Sequence, residues 1–284
     1  MVNEFISAGF HYIDDYNGLK HLPRKKPVLG LFAEEGLPWA LDNVNEHKLT
    51  TMTKAALAQL ENTQGFLLLV EASMVDWAGH SNDIAAAMAE MDDLAKTVEY
   101  IETYVSKNPD TLVVITADHS TGGLTLGKKT GYLNKKIKSN YLWQPQVIRE
   151  MNRSPEAIAK KIALESLSIK EISALLTFDI TPEEYTLLAT AKIEGELAVH
   201  RYNKRQPSAR TLKYPPELHS MLLKSIKKII DNRTNTGWGS ISDSASHNPV
   251  DVQVFSFGAK SEVFRGFQDN TDIAKKIFTL LGKE

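Results

Sequence analysis

"GFLLLVEASMVDWAGH", residues 65–80, decides the fold of this chain. Phe66 to Val70 are apolar on successive residues, the pattern of a β-strand covered on both faces. Glu71, Asp76 and His80 follow at once, so two carboxylates and an imidazole stand where the strand ends. Next, "DIAAAMAEMDDLAKTVEYIETYVSK" (83–107) is rich in helix formers and apolar at helical spacing. "DTLVVITADHSTGG" (110–123) then reads as a second buried strand running into a polar, glycine-rich loop. Strand, helix, strand with short connections is a right-handed crossover, which predicts two parallel neighbouring strands. Both acidic segments would leave the sheet at its carboxyl edge, where open α/β sheets bind ligands.

Working outward, "PVLGLFAEEGLP" (27–38) predicts a short buried strand over 28–32, ended by Gly36 and Pro38. "LTTMTKAALAQLENT" (49–63) predicts a helix with Met52, Ala55, Ala56, Leu57 and Leu60 on one face, capped by Thr50 or Thr51. From 128 to 235 the texture becomes charged and helix-prone, as in "SPEAIAKKIALESLSIKEISALL" (154–176) and "PELHSMLLKSIKKIIDN" (216–232), with Pro215 and Pro216 interrupting it. "DVQVFSFG" (251–258) returns to strand texture and "DIAKKIFTLL" (272–281) closes with a helix. The expected organisation is an α/β domain begun by 1–127, interrupted by a helical insertion at 128–235, and resumed by 236–284.

The 284 residues suffice for one sizeable α/β domain or two smaller ones. Lys and Arg number 33 against 35 Asp and Glu, so no charge excess marks nucleic acid or an anionic membrane as the main partner. Cysteine is absent, which excludes disulfides and thiolate chemistry and leaves His, Asp and Glu to hold any metal. "MVNEFISAGFHYIDDYNG" at the start has neither the basic nor the long apolar part of an export signal, and no apolar run is long enough to span a bilayer. The expectation is a soluble chain whose specificity resides in one local site.

Three of the eight histidines stand apart by their neighbours. His80 follows Asp76 by four residues, His119 follows Asp118 directly, and His247 lies in the polar loop "GWGSISDSASHNP". His11, His21, His47, His200 and His219 lack a matching acid pattern and read as surface or core residues. An Asp-x-x-x-His pair on a helix is often a surface ion pair. Carboxylates gathered at one sheet edge, however, repel unless a cation sits among them. Carboxylates with neutral imidazoles suit Zn²⁺ or Mg²⁺; the competing reading is polar residues paired with helix N-termini.

These residues carry a family likeness. "GFLLLVEASMVDWAGHSNDIAAAMAEMDDLAKTVEYI" and "DTLVVITADHSTGGLTLG" resemble the metal-binding half of the alkaline phosphatases. "PVLGLFAEEGLPWALD" upstream and "GWGSISDSASHNPVDVQVFSFG" downstream resemble that family in the same order, whereas 128–235 resembles it less and looks like a lineage-specific insertion. The resemblance implies a three-layer α/β/α fold with a mostly parallel sheet, and a phosphate-monoester hydrolase using two zinc ions and one magnesium ion. It implies that Asp76, His80 and His247 hold the first zinc, Asp118 and His119 belong to the second, and Glu71 to the magnesium. Paired ions about 4 Å apart would stabilise the attacking and leaving oxygens of an in-line displacement. His247 precedes its strand where the other ligands follow theirs, so the strand after it must run antiparallel or the loop must fold back. Trp77 stands beside a ligand where many relatives carry Lys or His, which makes it a candidate substrate contact.

The family's nucleophile is a serine in an Asp-Ser-Ala motif opening a helix well before the metal motifs, and nothing in residues 1–26 matches it. Asp243-Ser244-Ala245 has the letters, but it follows the metal motifs and leads into a proline and a strand, so Ser244 reads as a loop residue. The chain is therefore expected to be a C-terminal portion, inactive alone, and working in the periplasm or outside the cell once complete. Its exposed sheet edge would invite self-association, leaving a homodimer open. Two other expectations stand beside it: a phosphodiesterase or sulfatase of the wider superfamily, and a non-catalytic metal-binding module.

Overall fold

The structure is a computed structural model that describes residues 1–43, 47–127, 142–204, 217–239 and 247–283. In chain order its elements are α1 (Val2–Ser7), β1 (His11–Ile13), β2 (Val28–Gly30), α2 (Lys48–Leu60), α3 (Ser73–His80), α4 (Ile84–Lys107), β3 (Leu112–Ile115), β4 (Ser120–Thr121) and β5 (Thr125–Leu126). The helical stretch follows with α5 (Gln146–Arg149), α6 (Pro155–Leu164), α7 (Ile169–Leu176), α8 (Pro182–Lys204) and α9 (Ser220–Thr234). The chain closes with β6 (Thr236–Gly237), β7 (His247–Asn248), β8 (Phe255–Gly258) and α10 (Asn270–Leu280).

Helix starts follow local chemistry. Asp83 caps α4 by accepting from the Ala86 amide, and Ser154 caps α6 through Ala157, with Pro155 at the first helical position. The helix-prone stretch over 154–176 is two helices, because Ser168 and Glu171 form a reciprocal capping box that starts α7. Helix α2 begins without a side-chain cap; Thr50 instead lies inside it, buried, its hydroxyl 2.9 Å from that of Thr97 on α4.

The core lies where the amino end of α4 meets the helical stretch. Leu41, Ile84 and Ala85 pack in one cluster with Ile158, Ile162, Leu176, Leu188, Leu222, Ile226 and Ile230. Truncating a side chain as enclosed as Ile226 to alanine costs about 2–5 kcal/mol. Arg233 on α9 grips Glu184 on α8 through Nε and Nη2, at 2.9 and 2.6 Å, and holds that carboxyl below its usual range.

Among the described residues the strands form short pairs: β1–β2 parallel, and β3–β8, β4–β7 and β5–β6 antiparallel. Strand β3 has β8 as its partner, not the segment at 65–71, so the expected parallel neighbour is not found there. Residues 65–71 carry no strand ladder, and Leu67 and Leu69 are 61% and 88% exposed rather than buried. A run that closes no hydrogen-bond ladder is not a strand, whatever its apolar composition.

Candidate metal centre

Three separate pieces of chain meet at one point. Helix α3 brings Asp76, the turn after β3 brings His119, and β7 brings His247. One ligand atom from each lies within 4.8 Å of the other two. The antiparallel register of β4 and β7 sets Thr121 opposite His247 and Ser120 opposite Asn248, which carries His247 back to the edge that holds the others. The condition set by the sequence order is thus met by an antiparallel return, seen again in the β3–β8 ladder.

Within the cluster, the rings of His119 and His247 stack with centroids 3.3 Å apart and planes 18° apart. The His80 ring lies 5.3 Å from that of His247, and its Nε2 is 3.3 Å from Asp76 Oδ2. His80 and Asp76, four residues apart, share one face of α3. Asp118 is 86% exposed, with Oδ2 3.3 Å from His119 Nε2. Glu71 stands outside this cluster and lines a cavity of about 70 Å³ with Lys48, Glu90 and Asp93. Trp77 is exposed next to Asp76, its ring packed so closely on Gly36 that a Cβ there would meet it at 2.4 Å. Ser244 lies outside the described residues.

Sequence reasoning missed Thr121. Its hydroxyl donates to Asp76 Oδ1 and lies 3.1 Å from His119 Nδ1. Thr121 has one proton to give, and Asp76 takes it, so Nδ1 of His119 must donate to the Thr121 oxygen. In the neutral ring Nε2 then carries the lone pair, and it lies 3.3 Å from the Asp118 carboxylate. Two lone-pair groups that close need a proton or a cation between them. The available signal was position: Thr121 sits two residues beyond His119 in the same loop.

Gly122 shapes the turn that holds these groups. Its φ is +77°, and a Cβ would lie 2.7 Å from Gly79 O and 2.9 Å from the Trp238 ring. Only glycine allows α3 and this turn to approach so closely.

A family model described as alkaline phosphatase matches residues 1–282. Alkaline phosphatase 3 of Bacillus subtilis strain 168 is 34% identical over 284 residues, covering 99% of this chain and 54% of that protein. Among solved structures, the cold-active alkaline phosphatase of a psychrophilic Shewanella species has a TM-score of 0.82 at 37% identity, over 99% of this chain and 61% of that one. Thermus thermophilus alkaline phosphatase, with a TM-score of 0.70 at 21% identity over 58% of its chain, shares the fold. The chain spans about half the length of the curated relative it matches. Its fold is the α/β fold of those structures, and the chain belongs to the alkaline phosphatase family.

Proposed function

We propose that this chain carries the metal-binding part of a phosphoric monoester hydrolase site, with Asp76, His80 and His247 holding one zinc, Asp118 and His119 contributing to a second, and Glu71 to a magnesium. The observation that carries this reading is the meeting of Asp76, His119 and His247 within 4.8 Å. That group mixes residues assigned to both zinc ions, in keeping with ions about 4 Å apart. The donor set fits: carboxylate and imidazole suit a borderline cation, and Asp118 Oδ2 stands 3.3 Å from His119 Nε2.

When bound, such ions supply Lewis-acid stabilisation of phosphoryl oxygens. The chain's own residues prepare for that. Thr121 orients the Asp76 carboxylate by donating to Oδ1, which turns Oδ2 toward His80. The same hydroxyl fixes the His119 ring through Nδ1, leaving Nε2 to bind. Trp77 lies beside Asp76 as an exposed aromatic surface against which a substrate's organic group can rest. This reading takes the nucleophile from the part of the relatives' length that the chain does not span, and gives the whole enzyme phosphate monoesters as substrates outside the cytoplasm.

The test is zinc titration by calorimetry of this chain and of His247→Ala, alongside turnover of p-nitrophenyl phosphate with zinc and magnesium. Zinc binding that weakens in the variant, with no turnover by the chain alone, is the expected result. Absence of zinc binding overturns the metal reading. Family-typical turnover by the isolated chain overturns the external nucleophile.

A further inference from the structure

Helix α9 leans, through two polar residues one turn apart, Lys227 and Asp231, on chain next to the segments that bear the candidate ligands. Its apolar face, Leu222, Ile226, Ile229 and Ile230, is already spent on the core. Lys227 and Asp231 point elsewhere. The Lys227 ammonium donates to the Ser81 carbonyl, immediately after α3, the helix that bears Asp76 and His80. Its charge also acts on buried Asp83, which caps α4. Asp231 accepts from Trp238 Nε1 with both oxygens, at 3.2 and 3.1 Å.

Trp238 in turn lies against Gly122, and the next residue, Gly239, donates its amide to Gly122 O at 2.9 Å. Gly122 directly follows Thr121, the residue that orients both Asp76 and His119. The two ligand-bearing pieces also touch each other, since Gly79 of α3 faces Thr121 across 3.1 Å from where its Cβ would stand. One face of α9 therefore holds the end of α3 with Lys227 and backs the His119 turn with Asp231 acting through Trp238.

We infer that α9 is a brace for the metal centre, and that Lys227, Asp231 and Trp238 are positioning residues that set the angle between the Asp76 helix and the His119 turn. This gives the helical stretch a task at the site as well as a core to close. Outer partners that orient metal ligands typically contribute about 10–100-fold to metal affinity, so their loss should read out in binding even when the fold persists. The inference rests on the metal reading above.

The experiment uses Co²⁺ as the probe, following its visible absorption bands and its affinity in the unaltered chain, Asp231→Leu, Asp231→Asn and Trp238→Phe. Folding is checked by circular dichroism without metal. The expected result is a folded Asp231→Leu with at least about tenfold weaker Co²⁺ binding and altered bands, and recovery in Asp231→Asn, whose amide oxygen still accepts from the indole. If Asp231→Leu does not fold, Trp238→Phe, which keeps a ring over Gly122 but gives up the N–H, carries the same comparison. Unchanged Co²⁺ affinity and bands in the folded variants overturn the brace while leaving the metal reading intact. An unaltered chain that takes up no Co²⁺ overturns both.

Discussion

His247 faces Thr121 across a ladder only two residues long, and that pairing lays its imidazole on the ring of His119. The centre is thus closed by backbone register: the β4–β7 pairing delivers the last imidazole to a helix and a turn that α3 and β3 have already placed.

Metal should bind the folded chain and not the unfolded one, because its ligands meet only in the fold. Zinc at a hundredfold over its dissociation constant should then stabilise the chain by about 2.7 kcal/mol, and a chelator should remove that gain. Thermal melts of the unaltered chain with zinc and with EDTA measure it. In Asp76→Asn the two melts should nearly coincide.

Asp83 predicts a pH dependence. Burial raises its pKa from 3.8 to about 6, against opposing pulls from the Ala86 amide and Lys227. The folded value exceeds the unfolded one, so its stabilising contribution is complete below pH 3.8 and is lost as pH rises through about 6. Asp83→Asn keeps a capping oxygen and cannot ionise. Denaturant melts between pH 4 and 7 should show the variant gaining on the unaltered chain as pH rises, up to about 3 kcal/mol. A constant difference across that range would exclude the assignment.

Gly122→Ala should harm both stability and the centre. A side chain at φ +77° costs about 1–3 kcal/mol, and its Cβ would crowd Gly79 O and Trp238. A lower melting temperature together with weaker zinc binding is expected. Gly65→Ala is the control, since its φ is +85° but nothing lies within 4 Å of the new Cβ, so only the backbone penalty should appear.

Leu69, 88% exposed, should tolerate charge. Leu69→Lys should change the stability of the monomer by no more than about 0.5 kcal/mol while reducing self-association, because a lysine on an exposed apolar segment discourages pairing with another chain. Sedimentation velocity across a concentration series shows the second effect, and denaturant melts the first.

Helices were legible in the sequence because their information is local. Helix-forming composition and apolar spacing marked 83–107, where α4 lies, and the helix-prone stretch 154–176 holds α6 and α7. The break between α6 and α7 was missed because Ser168 and Glu171 work as a pair that the surrounding helix formers mask. Strands were less legible, since a strand needs a partner that composition does not name. Residues 65–71 have the right texture without a ladder, and β3 found β8 in place of the expected neighbour. At the centre, Asp76, His80, Asp118, His119 and His247 were singled out by type and spacing, and the structure brings Asp76, His119 and His247 into one cluster with His80 beside it. Thr121, Trp238, Asp231 and Lys227 were not, because a hydroxyl, an indole and a distant ion acquire their roles only through contacts made after folding.

The order of these pieces along the chain also sets when they can meet. Asp76 and His119 precede the core residues Ile158 to Ile230, and His247 follows all of them. A chain emerging from the ribosome can therefore build α3, α4 and the helical core before its last imidazole exists. Asp76 and His119 can then be in place before His247 is made, and the centre can close only once β7 pairs with β4.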